Sequence, residues 1–581
     1  MVEFTAFELG GKPMKKLTKI LICILALCMF LPAIASCNKN TGEGQYQTPP
    51  PQGTTKEPST TDKNNGTPGN ENVDDDDIID DDDGDDEDDE EDDDEVEETT
   101  PADPDDAIEK PEKIDMKGYT YRAYVRKYAG SDELDAQMSN GNNRFYCIDF
   151  WVGEEEREQD AISYAVYSRN SRIETEYNCK IRQISSNGSQ IEHLATAYAN
   201  SEGYDLTIIT AKPAAQAATR NLLRNIKDMS YVDLTHPSFD QNSINELSVG
   251  NKLYFLSGDM NVSTLEIAGL SVVNMEFYKK LEDSIIDLFE EDPAYSNVYN
   301  LVNTQKWTIE TMMKIATMAN EDVDTSDGSD LSVINKGDTI GYHQYFYSTL
   351  WYFYSSGGRI TAKNEEGLPE LTIQNPKNQN LADYLYDHLN HVISVPWVPH
   401  AGSATLNSNF LTGKVLFMDC ALFEVRMEIY PNADFEYGVL PCPLYEEGGD
   451  YHSVAYFNNW AHLWAIPSKT ANEEFAQRML QIMAVYSSLK DSTMHAYYDR
   501  TVYLGAAPDN GSRQVMDIIR TSIVYDIALL YDWGGLEKML ETLATSNSNP
   551  YGPAVGGIET NVKPKLEETI ELLKNPMMKT D

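Results

Sequence analysis

The stretch that most limits this chain is one that cannot fold. Residues 74–98, "DDDDIIDDDDGDDEDDEEDDDEVEE", hold 21 acidic side chains in 25 positions. Like charges at that density repel, and the flanking sequence from Asn38 to about Pro111 offers little beyond Pro, Thr, Gly, Asn and acids to bury. Such a segment stays extended and disordered, and some 75 residues of it would average roughly 50 Å end to end before charge repulsion lengthens it. Divalent-cation or cell-wall binding is one reading of the run. Scattered carboxylates without fixed geometry make no specific site, however, so a solvated spacer is expected. The formal net charge is −50, and removing the run's 21 charges still leaves −29. An acidic remainder argues against nucleic acid as a partner.

Upstream of the spacer the pattern reverses. Lys15, Lys16 and Lys19 precede an apolar segment, Ile20 to Met29, which gives way to small residues. This is the layout of a secretory signal peptide, expected over residues 1–36 with the true start at Met14 and residues 1–13 either a wrongly assigned upstream start or an unused leader. The end of it, Ile34-Ala35-Ser36-Cys37, resembles the bacterial lipobox. That resemblance implies that Cys37 is diacylated and opens the mature chain. Two acyl chains, at about 0.8 kcal/mol per buried CH₂, anchor stably where one would not. No other segment is apolar enough to span a bilayer, so residues 37–112 are expected to tether the protein to the extracellular face of a membrane through lipid alone.

Residues 113–581 must therefore supply the fold, and they are too many for one core. Cys147, Cys179, Cys420 and Cys442 remain there, compatible with three full pairings and with no CxxC for a structural zinc. Apolar runs at 204–210, 252–257, 271–277, 414–419 and 462–467 read as buried strands. Between them lie helical patterns. The clearest spans Asn472 to Lys490, with Phe475, Met479, Ile482, Met483 and Tyr486 on one face and Thr470 to Glu473 as a capping box. Strands alternating with helices, without a solenoid repeat, predict an α/β architecture.

The order of segments resembles the carbohydrate-type extracellular solute-binding proteins of ABC importers. "GYDLTIIT" with "LLRNIKDMSYVDLTHPSFD" is similar to the group's early strand, helix and turn. "SVGNKLYFLSGDMNVSTLEIAGLSVVNMEFYKKLE" resembles its crossing segment, and "LVNTQKWTIETMMKIA" its G-x-W-T helix start. "NFLTGKVLFMDCALFEVRME", "FEYGVLPCPLYEEGGDYHS", "AHLWAIPSKTANEEFAQRML" and "HAYYDRTVYLGAAPDNGSRQVMDII" follow in the group's order, the last as in a clostridial subgroup. Together they cover nearly all of residues 117–581. The chain departs where Glu276 stands in place of an Asn and where Asp322 to Asp330 replace a clean G-D-G loop. That loop, "DVDTSDGSD", is close to a calcium loop, but counting from Asp322 its glycine falls at position seven rather than six. It reads as a surface turn, and neither metal nor cofactor is expected.

The resemblance implies a two-lobed periplasmic-binding-protein-like fold of type II, its α/β lobes joined by crossing hinge strands. Lobe 1 would comprise residues 113–268 plus about 457–510, and lobe 2 about 269–456 plus 511–581. Ligands of open α/β sheets sit beyond the carboxyl ends of the strands. Lys212, Asp259, Asp419 and the segment Asn458-Asn459-Trp460 follow predicted strands and become candidates for ligand binding. Sugars present hydroxyls and apolar C–H faces, which call for carboxylates, amides, cations and flat aromatic rings. Asp259 and Asp419 could accept paired hydroxyls, while Lys212, Asn458 and Asn459 could donate. Trp351, Phe423 and Trp460 could stack on ring faces, with Phe423 near the position where the group carries an aromatic platform. Each has a plainer role available: Trp351 in the core, Phe423 in packing, the two aspartates as strand-end caps. With 9 His in no recognisable constellation and no nucleophile elbow, phosphate loop or H-E-x-x-H, no enzyme is expected. The expected partners are a small solute, namely a sugar, and separate ABC permease subunits, the protein itself acting as a monomer. A ligand-presenting receptor for a sensor kinase, a surface adhesin, or a binding protein for peptides or other non-sugar solutes would use the same fold.

Overall fold

The computed structural model describes residues 104–125, 149–321, 337–455, 461–499, 502 and 509–575, apart from Gln159, 186–188, Phe346 and 391–402. Cys37, the acidic spacer, Cys147, the Asp322–Asp330 loop and Asn458-Asn459-Trp460 lie outside the described residues.

Two four-stranded mixed sheets organise the chain. The strands are β1 (Tyr119–Val125), β2 (Cys179–Ile184), β3 (Leu206–Thr210), β4 (Gly269–Asn274), β5 (Ile340–His343), β6 (Thr361–Lys363), β7 (Pro369–Leu371), β8 (Val415–Ala421), β9 (Tyr437–Leu440), β10 (Ser453–Val454), β11 (His462–Ala465) and β12 (Ile523–Val524). The first sheet has the order β11-β3-β1-β2 and the second β5-β8-β4-β9, while β6-β7 and β10-β12 form small pairs. In the first sheet β1, β2 and β3 are parallel and β11 is reversed. In the second, β5 and β8 are parallel and β4 runs against both β8 and β9. Helices cover these sheets, which is why inner strands such as "LTIIT" and "VLFMDCA" are buried at every position rather than alternating. The α/β architecture expected from the sequence is thus present, built around two mixed sheets.

The reversed strands mark where the chain changes sheets. β4 is the first strand laid down after the chain leaves the first half, and β11 the first after it returns. Each starts beside the carboxyl end of a neighbour: Gly269 opposite Ala421, and His462 opposite Thr210. The chain therefore enters β4 and β11 at the carboxyl edges of the sheets. Ala268, just before β4, forms a bridge with Ala455.

Four of the five strand expectations fall on β3, β4, β8 and β11. The run 252–257 forms no full strand and meets β11 only at Leu256 opposite Trp464, with two backbone hydrogen bonds of 3.0 Å. The helix expected from Asn472 spans Glu473–Ser488, and its cap is Asn472, whose side chain accepts from the Phe475 amide at 3.1 Å. Thr470 does not cap it; its buried hydroxyl has no partner. The C-terminal segment, assigned by sequence to the second lobe, bonds to both halves: Leu573 accepts from Tyr254 at 2.8 Å and Leu540 from Thr349 at 2.6 Å. Cys179, Cys420 and Cys442 are buried free thiols.

Candidate functional site

The carboxyl edges of the two sheets are where the chain places groups suited to a ligand. At the end of β3, Thr210 and Gln190 exchange hydrogen bonds, with the Gln190 amide donating to the Thr210 hydroxyl at 2.9 Å and accepting from its backbone N–H at 3.0 Å. Lys212 opens the following helix, Ala211–Thr219, and its Nζ lies 2.7 Å from Glu537 and 3.5 Å from Asp532. Glu537 is buried, and burial, with Glu541 and Asp532 nearby, pushes its carboxyl up to about 7 against the downward pull of Lys212. One oxygen each of Asp532, Glu537 and Glu541 is buried without a partner. Lys212 is therefore committed to a carboxylate 325 residues away in the chain, beside acceptors still unfilled.

At the end of β5 stands an aromatic group. Tyr345 stacks on Trp351 with centroids 5.1 Å apart and planes 7° from parallel, and the half-buried Tyr347 leans on Trp351 at 6.2 Å. Trp351 itself is 1% exposed, wedged so tightly under Gly269 that a Cβ there would come within 2.3 Å of the indole. It packs as core beneath the crossing. Asp419 is wholly buried on β8, and its oxygens accept from Ser271, Tyr342, Ser348 and Tyr352 at 2.5 to 2.9 Å. A carboxylate accepts about four hydrogen bonds, so protein hydroxyls occupy its capacity. The Ser348 hydroxyl also accepts from the Tyr345 amide at 2.9 Å, tying this node to the aromatic group. Phe423 follows β8, half-buried and packed against the core.

At the crossing, Arg426 grips Glu266 in a fork, Nε to Oε1 at 3.0 Å and Nη2 to Oε2 at 2.8 Å. Asp259 lies at the end of the run 252–257, on the same edge of the first sheet as Thr210. It lines a cavity of about 300 Å³ with Asp240, Asn261, Leu265, Met494 and Arg520, and pairs with Arg520 at 2.7 Å.

The fold thus brings Lys212, Asp259, Trp351, Asp419 and Phe423 to the carboxyl ends of strands. Among them, Asp419 and Trp351 face inward and the two charged residues are already paired. Sequence reasoning missed Glu266, Arg426, Arg520 and Glu537. The first two lie inside quoted segments, and their charge amid apolar residues was the available signal. Arg520 and Glu537 stand 261 and 325 residues from their partners, and no local pattern marks them. Among the described residues no group of three or more His, Cys, Asp or Glu could hold a metal ion, and no helix is long and apolar enough to cross a membrane.

No family profile and no curated protein matches the chain. Several solved structures do. A cyclo/maltodextrin-binding protein complexed with maltotetraose is 13% identical over 80% of this chain and 99% of its own, at a TM-score of 0.48. An extracellular solute-binding protein from Staphylococcus aureus in complex with maltose is 11% identical over 79% and 99%, at 0.47. The galacto-N-biose-/lacto-N-biose I-binding protein of an ABC transporter from Bifidobacterium longum is 12% identical over 79% and 98%, at 0.44. TM-scores below 0.5 carry no ligand over to this chain, whose own residues must supply the reading.

Proposed function

We propose that this chain is an extracellular solute-binding protein, held to the membrane by acyl chains on Cys37, that captures a carbohydrate and delivers it to an ABC permease. One observation carries the reading: the chain enters each sheet's reversed strand at a carboxyl edge, β4 beside the end of β8 and β11 beside the end of β3. That is the geometry in which open α/β sheets take ligands, and paired crossings form a hinge on which two lobes can close. The chemistry at those edges suits a polyhydroxylated solute. Carboxyl oxygens stand unfilled at Asp532, Glu537 and Glu541, and Tyr347 and Phe423 are half-buried aromatics. Trp460, two residues before β11, is the proposed stacking residue on the returning crossing. Lobe 1 is proposed as residues 113–268 plus about 457–510, and lobe 2 as about 269–456 plus 511–581, with the C-terminal helices leaning on both.

A thermal-shift panel of monosaccharides, oligosaccharides, amino acids and short peptides tests the reading. A ligand at 100 times its Kd should add about 2.7 kcal/mol. Stabilisation by one saccharide class, lost in Trp460→Ala with folding intact, is the expected result. Stabilisation by peptides alone, or silence across the panel, would overturn the carbohydrate reading.

A further inference from the structure

We propose that the cavity between the helix Gln241–Leu247, the β6-β7 hairpin and the segment Tyr525–Ile527 is a binding site for a small oxyanion, either free phosphate or sulfate or the carboxylate of an acidic sugar, held by Arg359 and Lys363. The cavity measures about 240 Å³ and contains none of the candidate ligand residues described above. Its cations are fixed in place. The Gly250 amide donates to the Gly367 carbonyl at 2.9 Å, pinning the hairpin, and the Lys363 amine donates to the Ser248 carbonyl. The Arg359 guanidinium donates to the carbonyls of Gly358 at 2.7 Å and Tyr354 at 3.3 Å, and lies 5.8 Å from the centre of the Tyr354 ring. Its backbone carbonyl accepts from Thr372 and Asn378 at 2.8 Å each. Both cations are thus positioned by carbonyl oxygens, and among the described residues neither forms an ion pair with a carboxylate.

Elsewhere the half-buried guanidiniums of Arg426, Arg478 and Arg520 each meet a carboxylate at 2.7 to 2.9 Å. The two acids that line this cavity do not play that part. One oxygen of Asp526 accepts from the Tyr354 hydroxyl at 3.1 Å and from the amides of Ile360 at 2.7 Å and Thr361 at 3.0 Å. The other accepts from the Thr361 hydroxyl at 2.5 Å and the Ala528 amide at 3.0 Å. Five donors exhaust the lone pairs of one carboxylate. Glu246 accepts from the Tyr525 amide, and burial pushes its carboxyl up, against its charge. What the cavity lacks is an acceptor within reach of the guanidinium and the amine. An oxyanion brings several acceptor oxygens and the opposite charge, and the planar fork of arginine matches carboxylate, sulfate and phosphate alike.

The test is isothermal titration calorimetry of the full chain in chloride buffer at fixed ionic strength, with phosphate, sulfate, glucuronate and, as the uncharged counterpart, glucose. At least one of the three anions should bind saturably. Phosphate or sulfate binding more tightly than glucuronate identifies a free-anion site, and the reverse order an acidic-sugar site. Arg359→Gln and Lys363→Met should each weaken that binding roughly tenfold to a hundredfold, since each removes a hydrogen bond to a charged group. Lys280→Met, at an exposed lysine on the helix Met275–Leu288, should leave it unchanged. Should Arg359→Gln fail to fold, Lys363→Met decides, because Lys363 lies on an exposed part of the hairpin. No saturable binding of any of the three anions would overturn the proposal. So would anion binding that the folded variants leave unchanged, an equal loss in Lys280→Met, or glucuronate binding no tighter than glucose while phosphate and sulfate do not bind.

Discussion

Replacing Asp419 separates a structural node from a ligand contact. Its two oxygens accept four hydroxyls: Ser271 at 2.6 Å and Tyr352 at 2.9 Å on one, Tyr342 and Ser348 at 2.5 Å on the other. Burial pushes its carboxyl up, and those four bonds pull it down. Hydrogen bonds to a charged group contribute about 1.5–3 kcal/mol each, so four sum to roughly 6–12 kcal/mol. Asp419→Ala forfeits them but also recovers the several kcal/mol spent on desolvating a carboxylate, leaving a net loss of about 3–5 kcal/mol. Asp419→Asn keeps the volume and one acceptor oxygen and should lose about half as much. Urea unfolding at pH 7 measures both. A loss below about 1 kcal/mol for Asp419→Ala, with saccharide stabilisation abolished at an unchanged midpoint, would refute the reasoning and place Asp419 on the ligand.

Two further outcomes follow from local geometry. Glu537 has a folded-state pKa raised from 4.5 to about 7, so its contribution to stability is complete below about 4.5 and is lost as pH rises through 7. Glu537→Gln should therefore gain on the unmodified protein by up to about 3 kcal/mol between pH 5 and pH 8, read as a widening difference in Tm; a constant difference would refute the shift. Gly341 lies on β5 where a Cβ would stand 1.7 Å from the Ala316 carbonyl oxygen. Gly341→Ala must push the helix Ile309–Ala319 off the sheet, at a cost of about 3 kcal/mol or more in urea unfolding, and an unchanged midpoint would deny that close approach.

Much of the fold was legible because burial on both faces writes long apolar runs: β3, β8 and β11 each stand out among polar neighbours. β1, "YTYRAYV", did not, because alternation with an arginine resembles surface sequence. β5 and β9 each carry a glycine that interrupts the apolar run, whereas β11, equally short, is prolonged by Ile466. The run 252–257 misled in the other direction, since apolar content reports burial rather than a ladder of hydrogen bonds. The Asn472 cap shows the limit of motif reading: Thr470 and Glu473 have capping-box spacing, but the neighbouring Asn occupies the turn.

The sequence by itself determined that the folded part is an α/β chain, since hydrophobic period is local; the acidic spacer it leads one to expect over residues 74–98 lies outside the described residues. The sequence also picked out strand ends, and with them Lys212, Asp259 and Asp419. Only the tertiary structure decided what those side chains meet. Asp419 and Asp259 are both acids after apolar runs, yet one is enclosed by four hydroxyls from β4, β5 and a helix, and the other borders a cavity opposite Arg520. A carboxylate's role is set by the dielectric and the donors around it, and those arrive from segments tens to hundreds of residues away. No window of sequence contains them.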